Sequence, residues 1–137
     1  MTRAEFLAPL IGEPWAWQVR NCWNFACHIE AGLFRRILPG ITVPAGFSRR
    51  WVVEEFDRNP ERIHWQEVPQ GPGGLVTASD GALVLMAHLR MPAHIGVWLR
   101  PEGCVIHCSE KTGVVCETPL ALRQMGWKRL TFLEPKG

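Results

Sequence analysis

The spacing of apolar residues divides the chain into a first part that predicts helices and a second part that predicts short strands. In the first part four apolar residues recur at every fourth position: Phe25, Ile29, Leu33 and Ile37. This is the period of one face of an α-helix. The pattern predicts a helix over 22–38, with Asn21 as its N-cap and Cys22 in its first turn.

A second helix over 47–57 is predicted by the helical spacing of Trp51, Val52 and Phe56. Residues 67–74 are rich in glycine and proline and predict a loop. Four apolar runs follow and predict an antiparallel sheet: 82–89, 94–99, 104–107 and 114–116. A short helix over 119–126 and a closing strand over 130–133 complete an α+β fold in one domain, 1–137.

Composition narrows the possible functions. Apolar residues make up 47% of the chain and charged residues 20%, and the net charge is only +2, with no basic stripe. We therefore expect no nucleic-acid partner. No apolar run approaches the ~18 residues of a membrane span, and the N-terminus has no secretory signal pattern. We also expect the five cysteines to remain reduced, without a disulfide framework.

Cys22 is the candidate nucleophile because the start of a helix favours a thiolate. On this argument its pKa should lie below the ~8.5 of a free cysteine. The alternative is that Cys22 is a small buried core residue, which is the commoner fate of a cysteine.

Two histidines flank a predicted hairpin and could assist the thiol. If the loop 100–103 pairs Leu99 with Cys104, then His94 and His107 lie on one face of the sheet as diagonal neighbours. The same register places Gly96 opposite His107. Gly96 could leave an open patch for a substrate, or it could simply mark a twist or a bulge.

Two further residue types could carry function. Trp15, Trp17 and Trp23 cluster near Cys22 and could wall a substrate cleft. The cysteines and histidines have the composition of a metal site, but no Cys-x-x-Cys occurs, and in a strand His107 would point away from Cys104 and Cys108. We therefore predict no metal, although Cys27, Cys104, Cys108 and Cys116 are left open as ligands.

Several segments in order resemble the NlpC-type cysteine peptidases, particularly those encoded in bacteriophage tail gene clusters. They run from an entry loop (10–15) and a nucleophile segment (21–26) to the His-Ile-Gly segment (94–96) and the Ile-His segment (106–107). The resemblance implies a papain-like core, in which a helix that carries the nucleophile packs on an antiparallel sheet. It implies Cys22 as nucleophile, His94 as base and His107 as the group that orients His94, with no cofactor.

The resemblance also implies where such a protein acts. The expected substrate is the stem peptide of peptidoglycan, cut by a protein that is made in the host cytoplasm and carried at the phage tail tip in the virion. Other tail-tip or baseplate proteins would be its partners, with the N-terminal segment and residues 43–47 as apolar contact surfaces. Two alternatives stay open: a structural or assembly protein of the tail with little or no turnover, and a tail protein that binds metal through cysteine and histidine.

Overall fold

The predicted mixture of helices and an antiparallel sheet is confirmed by a computed structural model that describes residues 1–137. The four helices are α1 (Arg3–Leu7), α2 (Cys22–Phe34), α3 (Arg49–Arg58) and α4 (Pro119–Gln124). The six strands are β1 (Trp65–Val68), β2 (Leu83–Ala87), β3 (His94–Leu99), β4 (Cys104–Ser109), β5 (Gly113–Glu117) and β6 (Arg129–Pro135). None of the helices has the length and apolar content needed to cross a bilayer.

The strands lie in the order β1-β6-β2-β3-β4-β5, and all neighbours are antiparallel. Strands β2 to β5 follow one another in the sheet, and β6 returns to lie between β1 and β2. Strand β1 was not predicted, because the sequence assigned 67–74 to a loop. It is a short edge strand in which only Trp65 is buried, so it lacks the alternation that marks a strand in sequence.

The two faces of the sheet bury separate apolar clusters. On one face α2 packs against β3 and β4, with Phe25 and Ile29 in the same cluster as Ile95 and Ile106. On the other face Trp98, Val105 and Phe132 pack with Leu122 of α4. Successive side chains of a strand point to opposite faces, so both faces of β3 and β4 are buried.

Helix α2 ends earlier than predicted, at Phe34 rather than near residue 38. Arg35 takes a left-handed conformation (φ 54°) and terminates the helix. Arg36 then turns back, and its guanidinium donates hydrogen bonds of 2.9 Å to the Glu30 carboxylate and to the Gly81 carbonyl oxygen. A buried carboxylate needs such a partner, and the turn at Arg35 brings Arg36 into position to supply it.

The expectation that all five cysteines stay unpaired is wrong. Cys104 and Cys116 form a disulfide between β4 and β5, while Cys22, Cys27 and Cys108 are free. The register pairs Ile106 with Cys116, so Cys104 is a diagonal neighbour of Cys116, with a Cα–Cα distance of 5.8 Å. Composition carries no information about this register.

The two apolar segments expected to form a free contact surface are in part packed against the rest of the chain. In the N-terminal segment Leu7 is buried, and Phe6 stacks on His28 at 5.5 Å between ring centroids. In the 43–47 segment the Pro44 carbonyl oxygen accepts a 2.7 Å hydrogen bond from Trp17 Nε1. Phe47 remains 43% exposed.

Candidate active site

The start of α2 holds Cys22 in a fixed position. The Asn21 side chain caps the helix as predicted, because its Oδ1 accepts a 2.9 Å hydrogen bond from the Asn24 backbone N–H. Its Nδ2 donates to the Trp17 carbonyl oxygen at 2.8 Å. With both ends of this buried amide engaged, the residue before Cys22 has little freedom to move.

The β3–β4 hairpin brings the two predicted histidines together. Leu99 pairs with Cys104, as expected from the length of the turn. His94 Nε2 lies 2.9 Å from His107 Nδ1, and the two rings meet edge to face. Cys104 and Cys108 lie in the apolar cluster on the α2 face, as predicted from strand alternation.

Cys22, His94 and His107 line one cleft of about 190 Å³ at the end of the sheet where β3 begins and β4 ends. Cys22 makes no side-chain hydrogen bond to either histidine, whereas the histidines bond to each other. Hydrogen bonds in catalytic sites often tighten only when substrate binds. The cleft thus contains a hydrogen-bonded pair of imidazoles and a thiol that is not bonded to either of them.

The electrostatics of the thiol differ from the sequence expectation. Burial raises the pKa of Cys22 to about 12, although the backbone N–H groups of Ile95, Trp23 and Cys22 itself act in the opposite direction by hydrogen bonding to sulfur. The predicted fall of the Cys22 pKa below ~8.5 is therefore wrong. The start of the helix does supply hydrogen-bond donors to the sulfur, but the loss of water around the sulfur has the larger effect on its pKa.

Both histidines are neutral at pH 7. Burial, with smaller contributions from the charges on His107 and His88, holds the pKa of His94 well below its usual range. Burial lowers the pKa of His107 to about 4. A neutral pair can share one N–H between Nε2 and Nδ1, whereas two imidazolium ions cannot.

Glu117 is a site residue that the sequence analysis missed. Its Oε1 lies 3.8 Å from His107 Nε2, a buried nitrogen that has no hydrogen-bond partner. If the carboxylate holds the proton on His107 Nε2, then His107 Nδ1 accepts from His94 Nε2–H and His94 Nδ1 keeps its lone pair. Glu117 is the last residue of β5 and lies two positions beyond the residue that pairs with His107 in the sheet. Only the β4–β5 register could therefore have predicted that Glu117 lies near His107.

Trp127 and His88 also belong to the cleft and were not predicted as site residues. The Trp127 ring stacks with the imidazoles of His94 and His88, at centroid distances of 5.3 Å and 3.9 Å. His88 Nδ1 lies 2.9 Å from the Gly126 carbonyl oxygen. Trp127 thus covers one face of the His94 ring and helps to exclude water from it.

The three tryptophans predicted to bind substrate have different positions. Trp15 and Trp17 are half-buried and line the cleft. Trp23 lies in the apolar core, where its Nε1 donates to the Pro39 carbonyl oxygen at 2.9 Å. It lines a second cavity that also touches Cys22, rather than the cleft that contains the histidines.

Gly96 does not line the cleft, and the open patch expected beside it is filled. A Cβ atom at this position would lie 2.7 Å from Val105 Cγ1, 2.9 Å from the Ile106 carbonyl oxygen and 3.0 Å from His107 Cβ. Such distances are closer than real contacts allow. Glycine is therefore needed here for close approach of β3 and β4.

No three histidine, cysteine or acidic side chains lie close enough together to hold a metal ion. Of the cysteines left open as ligands, Cys104 and Cys116 are joined in the disulfide. Cys108 Sγ lies 3.5 Å from the Arg20 carbonyl oxygen, and burial raises the pKa of Cys27 to about 12.

Comparisons with known proteins do not place the chain in a family. No model of a known protein family matches it, and no curated protein has a matching sequence. The resemblance to NlpC-type peptidases therefore remains a prediction, and function must be argued from the residues of the cleft.

Proposed function

We propose that the chain is a cysteine peptidase with a papain-like, NlpC-type core that hydrolyses amide bonds in peptidoglycan stem peptides. The observation that carries this proposal is one cleft in which Cys22 lies beside a hydrogen-bonded pair of neutral histidines. A nucleophile, a base and a group that orients the base are the minimum for acyl transfer through a covalent intermediate.

The proposed reaction begins without a preformed thiolate, since burial keeps the thiol and both imidazoles neutral. The Cys22 sulfur attacks the substrate carbonyl carbon while its proton moves to His94 Nδ1. His94 then gives this proton to the amine nitrogen as the C–N bond breaks and a thioester remains on Cys22. Water, deprotonated by His94, attacks the thioester, and the thiol is restored.

The backbone N–H groups around the sulfur suit the tetrahedral intermediate. Those of Cys22 and Trp23 lie at the start of α2, where the first amides have no partner within the helix. Donors aimed at a developing oxyanion give one of the largest catalytic contributions. His107, held neutral beside Glu117, keeps the His94 ring in the required tautomer.

The charged rim of the cleft suits an anionic peptide. Arg49 and Lys111 line it, against the single carboxylate of Glu110. Stem peptides carry free carboxylates, so this excess of cations supports them as the substrate class. We further propose that the protein acts at the tip of a phage tail, where it is carried in the virion and docks on other tail proteins.

The main test is digestion of purified peptidoglycan, with the products identified by mass spectrometry. The wild-type protein should release fragments with a new amine and a new carboxylate on either side of one stem-peptide bond. The Cys22→Ala variant should release none. An undigested wall in the presence of folded wild-type protein would overturn the proposal.

A structural role in the tail is the second candidate, and one observation favours it. The Cys22 thiol is unbonded to His94 and has a raised pKa, as expected for a site that no longer turns over. Virus particles carrying Cys22→Ala distinguish the two roles. Normal assembly with impaired passage through the wall supports the peptidase, whereas normal infection supports the structural role.

A further inference from the structure

A second cavity lies behind Cys22, between α3 and the sheet. It has a volume of about 70 Å³ and is lined mainly by apolar side chains, among them Val43, Phe56, Leu83, Leu85 and Ile95. An apolar cavity of about 150 Å³ is known to bind benzene. This cavity, hereafter the back cavity, therefore suits a smaller aliphatic group.

The polar residues at the edge of the back cavity are engaged with one another. Asn59 Nδ2 donates to Glu55 Oε2 at 2.6 Å, and Trp65 Nε1 donates to Glu61 Oε2 at 2.8 Å. These bonds leave few free groups to hold water inside. An apolar ligand could enter without displacing strongly bound water.

The back cavity and the histidine cleft share one wall. Four residues line both spaces: Trp17, Asn21, Cys22 and Val52. The thiol therefore lies at the junction between an apolar space and the cleft that contains the base. A group attached to the carbonyl carbon that Cys22 attacks would have the back cavity within reach.

We propose that the back cavity binds a small aliphatic group on the acyl side of the substrate, so that Cys22 prefers acyl groups bearing about three carbons. This inference rests on Cys22 as the nucleophile of the proposed function. It adds a selection rule that the histidines cannot supply, because neither of them lines the back cavity.

The test uses thiol modification, which needs no turnover. Rates of Cys22 modification by methyl, propyl and benzyl methanethiosulfonate would be followed by peptide mass spectrometry and normalised to the rates with glutathione. Propyl should react about tenfold faster than methyl, because added methylenes in an apolar pocket give gains of this size. Benzyl should gain nothing over propyl, because its ring exceeds the volume of the back cavity.

Two cavity variants and a matched control make the test specific. Val43→Phe should fill the back cavity and remove the propyl preference, whereas Phe56→Ala should widen it and shift the preference to benzyl. Thr42→Phe places the same ring at the neighbouring exposed position and should keep the wild-type order. Equal normalised rates for all reagents in wild-type protein, or an unchanged preference in both cavity variants, would overturn the inference.

These outcomes are separable from those of the peptidoglycan digest. A propyl preference without any cleavage of stem peptides would reject the peptidase and leave the back cavity as a binding site. Cleavage without a propyl preference would reject only the back cavity.

Discussion

Two groups of buried ionisable side chains differ in their surroundings: the Glu30 carboxylate, which is paired with the partly exposed Arg36, and the His94–His107 pair. Glu30 is fully buried, its pKa is raised to about 7 by burial against the opposing effect of Arg36, and it lines neither the cleft nor the back cavity. The His94–His107 pair is also buried, but it lines an open cleft together with the Cys22 thiol. A shifted pKa therefore does not identify a site by itself, and access to a ligand distinguishes the two pairs.

The largest expected effect is on turnover by the histidine pair. His94→Ala should lower the rate of stem-peptide cleavage by at least about 10³-fold, since general acid–base catalysis is lost. His107→Asn should cost on the order of tenfold, because an amide can still hold the ring through one hydrogen bond. The measurement is cleavage rate per folded protein, with the exposed His64→Ala as control, and equal losses in the two cleft variants would refute these roles.

Breaking the Glu30–Arg36 pair should lower the free energy of unfolding and leave the rate of stem-peptide cleavage unchanged. Arg36→Ala leaves a fully buried carboxyl group without its cation, and we expect a loss of about 2–3 kcal/mol in the free energy of unfolding. Chemical denaturation measures this loss. The control is Arg50→Ala, which breaks an exposed pair with Glu54 and should cost less than about 0.5 kcal/mol. A selective effect of Arg36→Ala on cleavage rate would erase the distinction between the pairs.

The two pairs should also give opposite pH dependence of stability. The pKa of His107 is about 4 in the folded chain, whereas its ordinary value is 6.5. As pH falls, the unfolded state therefore binds the proton before the folded state does. The free energy of unfolding should fall by up to about 3 kcal/mol between pH 6.5 and pH 4. The raised pKa of Glu30 makes stability fall as pH rises from 4.5 to 7. Denaturation of Glu30→Gln should therefore show a steep acid loss that added His107→Asn reduces but does not abolish, because the pKa of His94 is also lowered by burial. Parallel curves for the two proteins would contradict this assignment.

The smallest expected effect concerns Glu117. Glu117→Gln should reduce turnover by about two- to fivefold, the size of a partly solvated charge interaction. Because the carboxylate favours a proton on the histidine pair, its loss should also shift the acid limb of the pH–rate profile to lower pH. Glu67→Gln, an exposed carboxylate on β1, is the control. A profile unchanged in both variants would leave Glu117 without a role in the site.

The sequence predicted those parts of the site that depend on local spacing. The four-residue loop after Leu99 set the hairpin register and thereby the meeting of His94 and His107, and Asn21 indicated the start of α2. The raised pKa of Cys22 could not be predicted, because it comes from the protein packed around the sulfur and not from its own helix. Glu117 and Trp127 approach the histidines from β5 and from the segment after α4, whose positions follow only from the folded sheet.

The space filled around Gly96 has a consequence for how the site can vary. Because Val105, Ile106 and His107 already occupy the place of a side chain there, even an alanine would push β3 and β4 apart. The absence of a Cβ atom at Gly96 therefore lets β3 and β4 approach closely enough for the His94 and His107 rings to meet. We expect a side chain at this one position to break the hydrogen bond between His94 and His107 before it disrupts the sheet.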